Sequence, residues 1–216
     1  MRFDELFKNL GYLAATIGSQ VRDTAFDGVP LDELDLTATP PHKIALLGPA
    51  QLVLSEGEVF RVDVEPGSTG PEVRFALQEG RLGVGGGDAD TVVNITLPAP
   101  KKLTIAGSGR MTAEKLAADG KLSIAGSGRL EVASVEGGRL KVSIAGSGSC
   151  DAEGLAVEKA SVHIAGSGDA IFTCNGEVEA HLMGSGNVIV RGSARCSVHS
   201  MGSGTLTCER ATEAAD

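Results

Sequence analysis

The candidate metal ligands in this sequence are histidines that recur at a fixed interval. His163, His181 and His199 are three of the four histidines among 216 residues, and each stands three residues before a Gly-Ser-Gly unit. Imidazole is a common ligand of Zn²⁺, and two rings can share an ion when their nitrogens lie about 3.3 Å apart. Three rings on neighbouring strands cannot easily share one ion, because the outer two would be about 9.6 Å apart at the backbone. No carboxylate is expected beside them to orient a ring, so an exposed polar stripe is the alternative to a metal site.

The cysteines offer a disulfide rather than a metal centre. The chain has four, Cys150, Cys174, Cys196 and Cys208, with neither a CxxC pair nor a Cys/His cluster, which argues against structural zinc. Cys196 lies six residues before Gly202 and Cys208 six after it, so both point inward if this segment alternates as strands do. A bridge between them would add about 2 to 3 kcal/mol by the chain-entropy estimate. Free buried thiols are the equal alternative, because the compartment is not known.

Groups that could perform catalysis do not converge. Asp119, Asp151 and Asp169 occupy different positions relative to the Gly-Ser-Gly units, whereas glycoside hydrolysis needs two carboxyl groups at one place. The serines of these units have no neighbouring base, and a serine without a base is not an activated nucleophile. The sequence therefore predicts no catalytic residue and no cofactor.

Charge limits the class of partner. The net charge is −9, which argues against nucleic acid, and no segment approaches the roughly 18 apolar residues of a membrane span. Lys102, Lys121 and Lys141 share one position, five residues before a Gly-Ser-Gly unit. Such a column would suit an anionic glycan, although three lysines on an acidic protein are more often a solvated face. The partners left open are a second copy of the chain, a surface protein and a glycan.

A tandem repeat must position all of these residues. Gly-Ser-Gly begins at Gly107, Gly126, Gly146, Gly166, Gly184 and Gly202, at steps of 18 to 20 residues. Residues two and four before each first glycine, and four and six after it, are mainly apolar, which is the period of two typical of half-buried strands. A repeat of this length has no room for a crossover helix, so we expect an all-β parallel solenoid rising about 4.8 Å per coil.

The two glycines of each unit are expected to be structural. They lie on the inward side of the alternation, where they permit close approach of another wall or supply positive φ at a corner. A flexible linker would not sit between alternating aliphatic residues six times, and a phosphate-binding loop would be followed by a helix. The predicted structural glycines are Gly107, Gly109, Gly126, Gly128, Gly146, Gly148, Gly166, Gly168, Gly184, Gly186, Gly202 and Gly204.

The domain organisation follows from where the repeat begins and ends. One β-helix domain is predicted over residues 43–208, with irregular first coils at 43–100 and regular coils at 101–208. Apolar residues from Phe3 to Val21, spaced by three and four, predict an amphipathic helix over residues 1–22. That helix would cap the solenoid or mediate self-association, and an interfacial membrane helix is the alternative. Residues 23–42 are predicted as an extended connector and residues 209–216 as a frayed tail.

The repeated SIAGSG blocks, the change to LMGSG and SMGSG, and the ending from Ala194-Arg195-Cys196 to Cys208 resemble the head GIN domain family of bacterial adhesin-type proteins. The segment LLGPAQLVLSEGE, Leu46 to Glu58, resembles the family's opening coil, so the resemblance covers residues 43 to 208. It implies a right-handed parallel β-helix, found mostly in exported or envelope proteins and without an assigned reaction. The start MRFDELFKNLG lacks the features of a secretory signal, so a cytoplasmic location is the alternative.

We therefore predict a non-enzymatic, adhesin-like β-helical module that presents a flat ladder face for self-association or for a surface partner. A carbohydrate-active enzyme is one alternative, favoured only by analogy of fold. A cytoplasmic scaffold that assembles end to end is the other.

Overall fold

The computed structural model describes residues 28–67 and 70–209, and this part of the chain is a β-solenoid, as predicted. The amphipathic helix expected over residues 1–22 lies outside the described residues, as do residues 210–216 of the expected tail. The strands are β1 Lys43–Leu47, β2 Gln51–Glu56, β3 Arg61–Glu65, β4 Arg74–Gln78, β5 Arg81–Gly85, β6 Val92–Leu97, β7 Lys102–Gly107, β8 Arg110–Ala113, β9 Gly120–Gly126, β10 Arg129–Val132, β11 Arg139–Gly146, β12 Ser149–Gly166, β13 Asp169–Gly184, β14 Asn187–Arg191, β15 Arg195–Gly202 and β16 Thr205–Glu209.

Equivalent positions of successive repeats lie directly above one another. The strands that precede the Gly-Ser-Gly units pair in parallel to form a first wall, made of β7, β9, β11, the second halves of β12 and β13, and β15. Their register aligns Ile105 with Ile124 and Ile144 with Ile164. The strands that follow the units form a second wall, made of β8, β10, the first halves of β12 and β13, β14 and β16. One repeat is therefore one coil, and a repeat position becomes a column.

The core fills the space between these walls. Ile105, Ile124, Ile144, Ile164 and Leu182 form one inward column with at most 2% of each residue exposed. A third side is shorter, with buried Leu116 bridging to buried Val135. Burying an aliphatic side chain of this kind stabilises a fold by about 1.5 to 3 kcal/mol, so the stacked columns are the main source of cohesion between coils.

The first coils do not stack in chain order. β1 lies between β5 and β7, and β2 lies between β6 and β8. The layer made by β5 and β6 is therefore the last parallel layer at this end of the stack, although β1 and β2 precede it in the chain. β3 and β4 pair antiparallel with β6 and β5 at the edges of this layer. Glu79 and Gly80 join β4 to β5 with φ of 48° and 70°, a two-residue hairpin that forces the antiparallel direction. These strands cover an edge that would otherwise be open to another chain.

The segment expected to be an extended connector contains local structure where it is described. Leu31–Glu33 forms a 3-10 helix, and Val29 exchanges two backbone hydrogen bonds with Phe75 of β4, at 2.8 and 2.7 Å. The side chain of Leu34 is buried in the core. Residues 28–42 therefore pack against the same end of the solenoid that β3 and β4 cover.

The coil at the opposite end, formed by β15 and β16, exposes its interior. Val198 belongs to an inward column but is 45% exposed, because none of the described residues forms a coil beyond it. At the next inward position Ser200 replaces the aliphatic residue of the other coils, and its hydroxyl donates to the carbonyl oxygen of Gly204 at 3.3 Å. The terminal coil therefore has a partly polar interior suited to contact with water.

Candidate functional site

The outward surface of the first wall carries the residues that the sequence singled out for binding. We call this surface the ladder face: the outward residues five, three and one positions before each Gly-Ser-Gly unit, with those paired to them in β1 and β5. His163, His181 and His199 are aligned by the register of β12, β13 and β15. Their rings stack with centroids 4.9 and 5.1 Å apart and planes inclined by 5° and 16°. The predicted histidine column is therefore a continuous stack of three imidazoles.

The stacked arrangement does not gather ring nitrogens around an ion. Nε2 of His163 lies 3.3 Å from the Ser161 hydroxyl, and Nε2 of His181 lies 3.1 Å from Oε1 of Glu179. The expectation that no carboxylate stands beside the histidines was therefore wrong, because residues two apart on a strand lie side by side on one face. Within the part of the chain that the structure describes, no three His, Cys, Asp or Glu side chains are grouped for a metal ion.

Burial and neighbouring cations disfavour the charged form of His163. Desolvation lowers the pKa of His163 below its ordinary value of 6.5, Lys141 and His181 lower it further, and Glu179 acts in the opposite direction. The unfolded chain consequently binds this proton more tightly than the folded chain does. Protonation of His163 therefore favours the unfolded state. The stability associated with the neutral ring is fully present above about pH 6.5 and is lost as the pH falls through the lower pKa of the folded state.

We expect the pKa of His163 in the native protein, measured by NMR of the imidazole protons, to lie below 6.5. Lys141→Gln should raise this pKa, because it removes a positive charge facing the ring. Lys159→Gln is the matched control, since Lys159 is paired with Glu177 at 2.7 Å and should leave the His163 pKa almost unchanged. A native pKa above 6.5, or equal responses to the two variants, would contradict this electrostatic account.

A column of basic residues runs beside the histidines and is longer than the sequence predicted. Lys102, Lys121 and Lys141 are aligned in adjacent strands, as expected. The structure adds Lys43 of β1, which pairs with Lys102, and Arg81 of β5, which pairs with Lys43. The sequence does contain a signal for this alignment. Residues 43–46 read Lys-Ile-Ala-Leu and residues 102–105 read Lys-Leu-Thr-Ile, so both segments have a lysine followed by aliphatic residues at every second position. The sequence did not predict this alignment, because β1 and β5 lie outside the Gly-Ser-Gly repeats and their order in the stack does not follow the chain.

Small side chains form the floor between the basic residues and the edge of the face. An open groove of about 500 Å³ runs along this floor. It is lined by Lys121, Lys141, Ser123, Ser143, Ala125, Ala145 and His163. The groove continues past Met183, which is 61% exposed. The ladder face is therefore shallow and elongated, which suits an extended partner better than a small enclosed ligand.

The glycines of each unit have two different structural roles, which the sequence left as alternatives. Gly146 has φ of +122°, and a Cβ there would collide with the carbonyl oxygen of Gly126 in the preceding coil. Gly148 is buried, and its Cβ would meet Cγ2 of Ile124 at 2.5 Å. The first glycine therefore turns the corner, and the second allows the inward column to pack closely. The serine between them, Ser147, is exposed.

Cys196 and Cys208 are joined by a disulfide that connects β15 to β16 across the terminal coil. Cys150 and Cys174 are free and buried. Burial raises the pKa of the Cys150 thiol to about 12 and also raises the pKa of Cys174. Because the thiolate is the reactive form, neither buried thiol is a nucleophile at neutral pH.

Within residues 28–67 and 70–209 there is no helix with the length and apolarity needed to cross a bilayer. A family model described as "Putative auto-transporter adhesin, head GIN domain" matches residues 40–194. No curated protein matches the chain.

Solved structures share the fold at low sequence identity. A protein from Bacteroides fragilis titled a "putative adhesin" is 16% identical, with a TM-score of 0.57, over 79% of this chain and 93% of that chain. A "putative lipid binding protein" from Parabacteroides distasonis is 18% identical, with a TM-score of 0.50, over the same shares of 79% and 93%. At these identities the likeness supports the β-solenoid architecture alone.

Proposed function

The chain belongs to the head GIN domain family, whose description is "Putative auto-transporter adhesin". We propose that it is a non-enzymatic, adhesin-like module that binds a surface partner through the ladder face. The observation that carries this role is the in-register stacking of small, polar and basic side chains along one wall. A rigid wall of this kind presents many weak contacts at fixed spacing without needing to change shape. A bacterial envelope or surface location follows from such a role, and the family description supports it.

A catalytic role has less support from the carboxylates of this wall. Glu177 and Glu179 both line a second open groove beside the first, but Glu177 forms a salt bridge to Lys159 at 2.7 Å. The hydrogen bond from Lys159 lowers the pKa of Glu177, whereas the general acid of a glycosidase needs a raised pKa. Glu179 is held by His181. Glu177 is therefore poorly suited to act as the acid of a glycosidase.

Self-association through the terminal coil is a second candidate. The side chain of Val198, an inward residue that is 45% exposed at the open end of this coil, favours it. The polar Ser200 in the interior of that coil weighs against it, because a coil built to continue into a second copy would keep an aliphatic residue there. We therefore rank the ladder face above the terminal coil as the binding surface.

The adhesin-like role is tested with latex beads coated with the protein and presented to intact bacterial cells and to epithelial monolayers. Ala145→Glu/Ala165→Glu places two carboxylates on the floor of the ladder face in adjacent coils. We expect bead retention to fall about tenfold, as for a change at the centre of an interface. Ile171→Glu/Ile189→Glu is the matched control, because these residues are aligned on the second wall. Equal retention by wild type and the ladder-face variant would overturn the proposed role.

A further inference from the structure

The basic column of the ladder face continues through five adjacent layers in the order Arg81, Lys43, Lys102, Lys121 and Lys141. Adjacent strands lie about 4.8 Å apart, so the column extends over about 19 Å. Its continuity does not follow from the repeat alone, because Lys43 and Arg81 belong to coils that are stacked out of chain order. Basic residues therefore occupy one position of the wall in segments of unrelated spacing.

Two other lysines of the described residues, Lys115 and Lys159, pair with carboxylates, whereas three lysines of this column form no salt bridge. Lys115 binds Glu56 at 2.8 Å and Glu136 at 3.0 Å, and Lys159 binds Glu177 at 2.7 Å. Among the described residues, no salt bridge includes Lys43, Lys121 or Lys141. In a chain of net charge −9, carboxylates are abundant enough to have supplied partners.

The column is under electrostatic stress in the free protein. Burial lowers the pKa of Lys102, and the charges of Lys121, Lys43 and Arg81 lower it further. Like charges directly opposite each other on adjacent strands are destabilising. An anionic ligand lying along the column would relieve this repulsion, so the same arrangement that costs stability in the free protein favours binding.

We propose that the basic column binds a linear acidic polysaccharide that lies across the coils, along the axis of the solenoid. This inference rests on the proposed function of the ladder face and names the class of its partner. A small anion would meet only one or two of the cations, whereas a polymer with one carboxylate per sugar repeats its charge at a spacing of the same order as the layers. The hydroxyls of Ser123 and Ser143, on the groove floor beside the lysines, are placed to accept and donate hydrogen bonds to sugar hydroxyls.

Nucleic acid is the other anionic polymer that a basic strip attracts, and the ladder face is poorly suited to it. Binding of single strands relies on aromatic side chains that stack on the bases. The chain has no Trp and only 3% aromatic residues. The three imidazoles of the face stack on one another and so offer few free ring surfaces to a base.

The test measures binding of fluorescein-labelled polygalacturonate to the full chain by anisotropy over a range of NaCl concentrations. We expect saturable binding that weakens steeply with salt, because bound counterions are released from the polymer. Lys121→Gln/Lys141→Gln should weaken binding by at least about tenfold and flatten the salt dependence. Lys121→Arg/Lys141→Arg should retain binding, and neutral dextran should not compete. The melting temperature of the Gln variant should be no lower than that of the wild type, since both lysines are exposed and outside salt bridges in the described residues.

The matched control is Arg110→Gln/Arg129→Gln, which removes the same charge from two aligned positions of the second wall. We expect it to weaken binding by less than about twofold through the change in net charge alone. Absence of salt-sensitive binding, equal losses in the two double variants, or tighter binding of oligo(dT) or polyphosphate than of polygalacturonate would overturn the inference. If polygalacturonate fails while Ala145→Glu/Ala165→Glu still abolishes bead retention, the ladder face remains the binding surface and only the polymer class is wrong.

Discussion

Gly146→Val is expected to destabilise the protein by about 3 kcal/mol or more. Gly146 has φ of +122°, a conformation that a β-branched residue scarcely adopts, and its new Cβ would collide with the Gly126 carbonyl of the coil below. Backbone strain of this kind costs on the order of 1 to 3 kcal/mol, and forced overpacking adds a similar amount. Urea denaturation followed by circular dichroism measures the loss as a lower midpoint with an unchanged m-value.

The neighbouring position provides the control for this prediction. Ser147 is exposed at the same corner, and Ser147→Val should change the free energy of unfolding by only about 0.5 kcal/mol or less. Gly146→Val with wild-type stability would show that the coil can turn without a residue of positive φ. In that case the spacing of the Gly-Ser-Gly units would need another explanation.

The columns could be predicted from sequence because alternation and repeat length are sufficient to define them. Once strands are assigned, a period of two decides which side a residue faces, and an equal step from coil to coil decides its vertical neighbour. His163, His181 and His199 were therefore predicted in one column before their ring contacts were known. The same logic assigned Lys102, Lys121 and Lys141 to one column.

Contacts between columns were harder to predict, because they depend on side-chain reach within one strand. Glu179 stands five residues before Gly184, the repeat position that Lys141 holds in its own coil, and His181 follows it two residues later. Both residues face outward from β13, and their side chains meet at 3.1 Å. The repeat relates residues of successive coils and gives no information about contacts between residues two apart on the same strand.

The order in which the first coils stack could not be predicted from the Gly-Ser-Gly repeat. The irregular first coils predicted at residues 43–100 contain β1 to β6, but the spacing of these strands is uneven and gives no step from which to infer vertical neighbours. The insertion of β1 between β5 and β7 depends on long-range pairing rather than on local pattern. Lys43 and Arg81 therefore joined the basic column only when the three-dimensional register was known.

Phe172→Ala is expected to cost about 3 to 5 kcal/mol, the range for removing a buried aromatic side chain. Phe172 is 1% exposed and is paired with the smaller residues Ala152 below and Val190 above, so neither neighbour can fill the cavity left behind. Ile171→Ala, at the adjacent outward and only half-buried position, should cost about 1 kcal/mol. Because a solenoid coil contacts only its neighbours, we also expect faster hydrogen exchange in β13 to β16 than in β7 to β10 of the Phe172 variant. Equal losses for the two variants would show that Phe172 is not packed inside the coil.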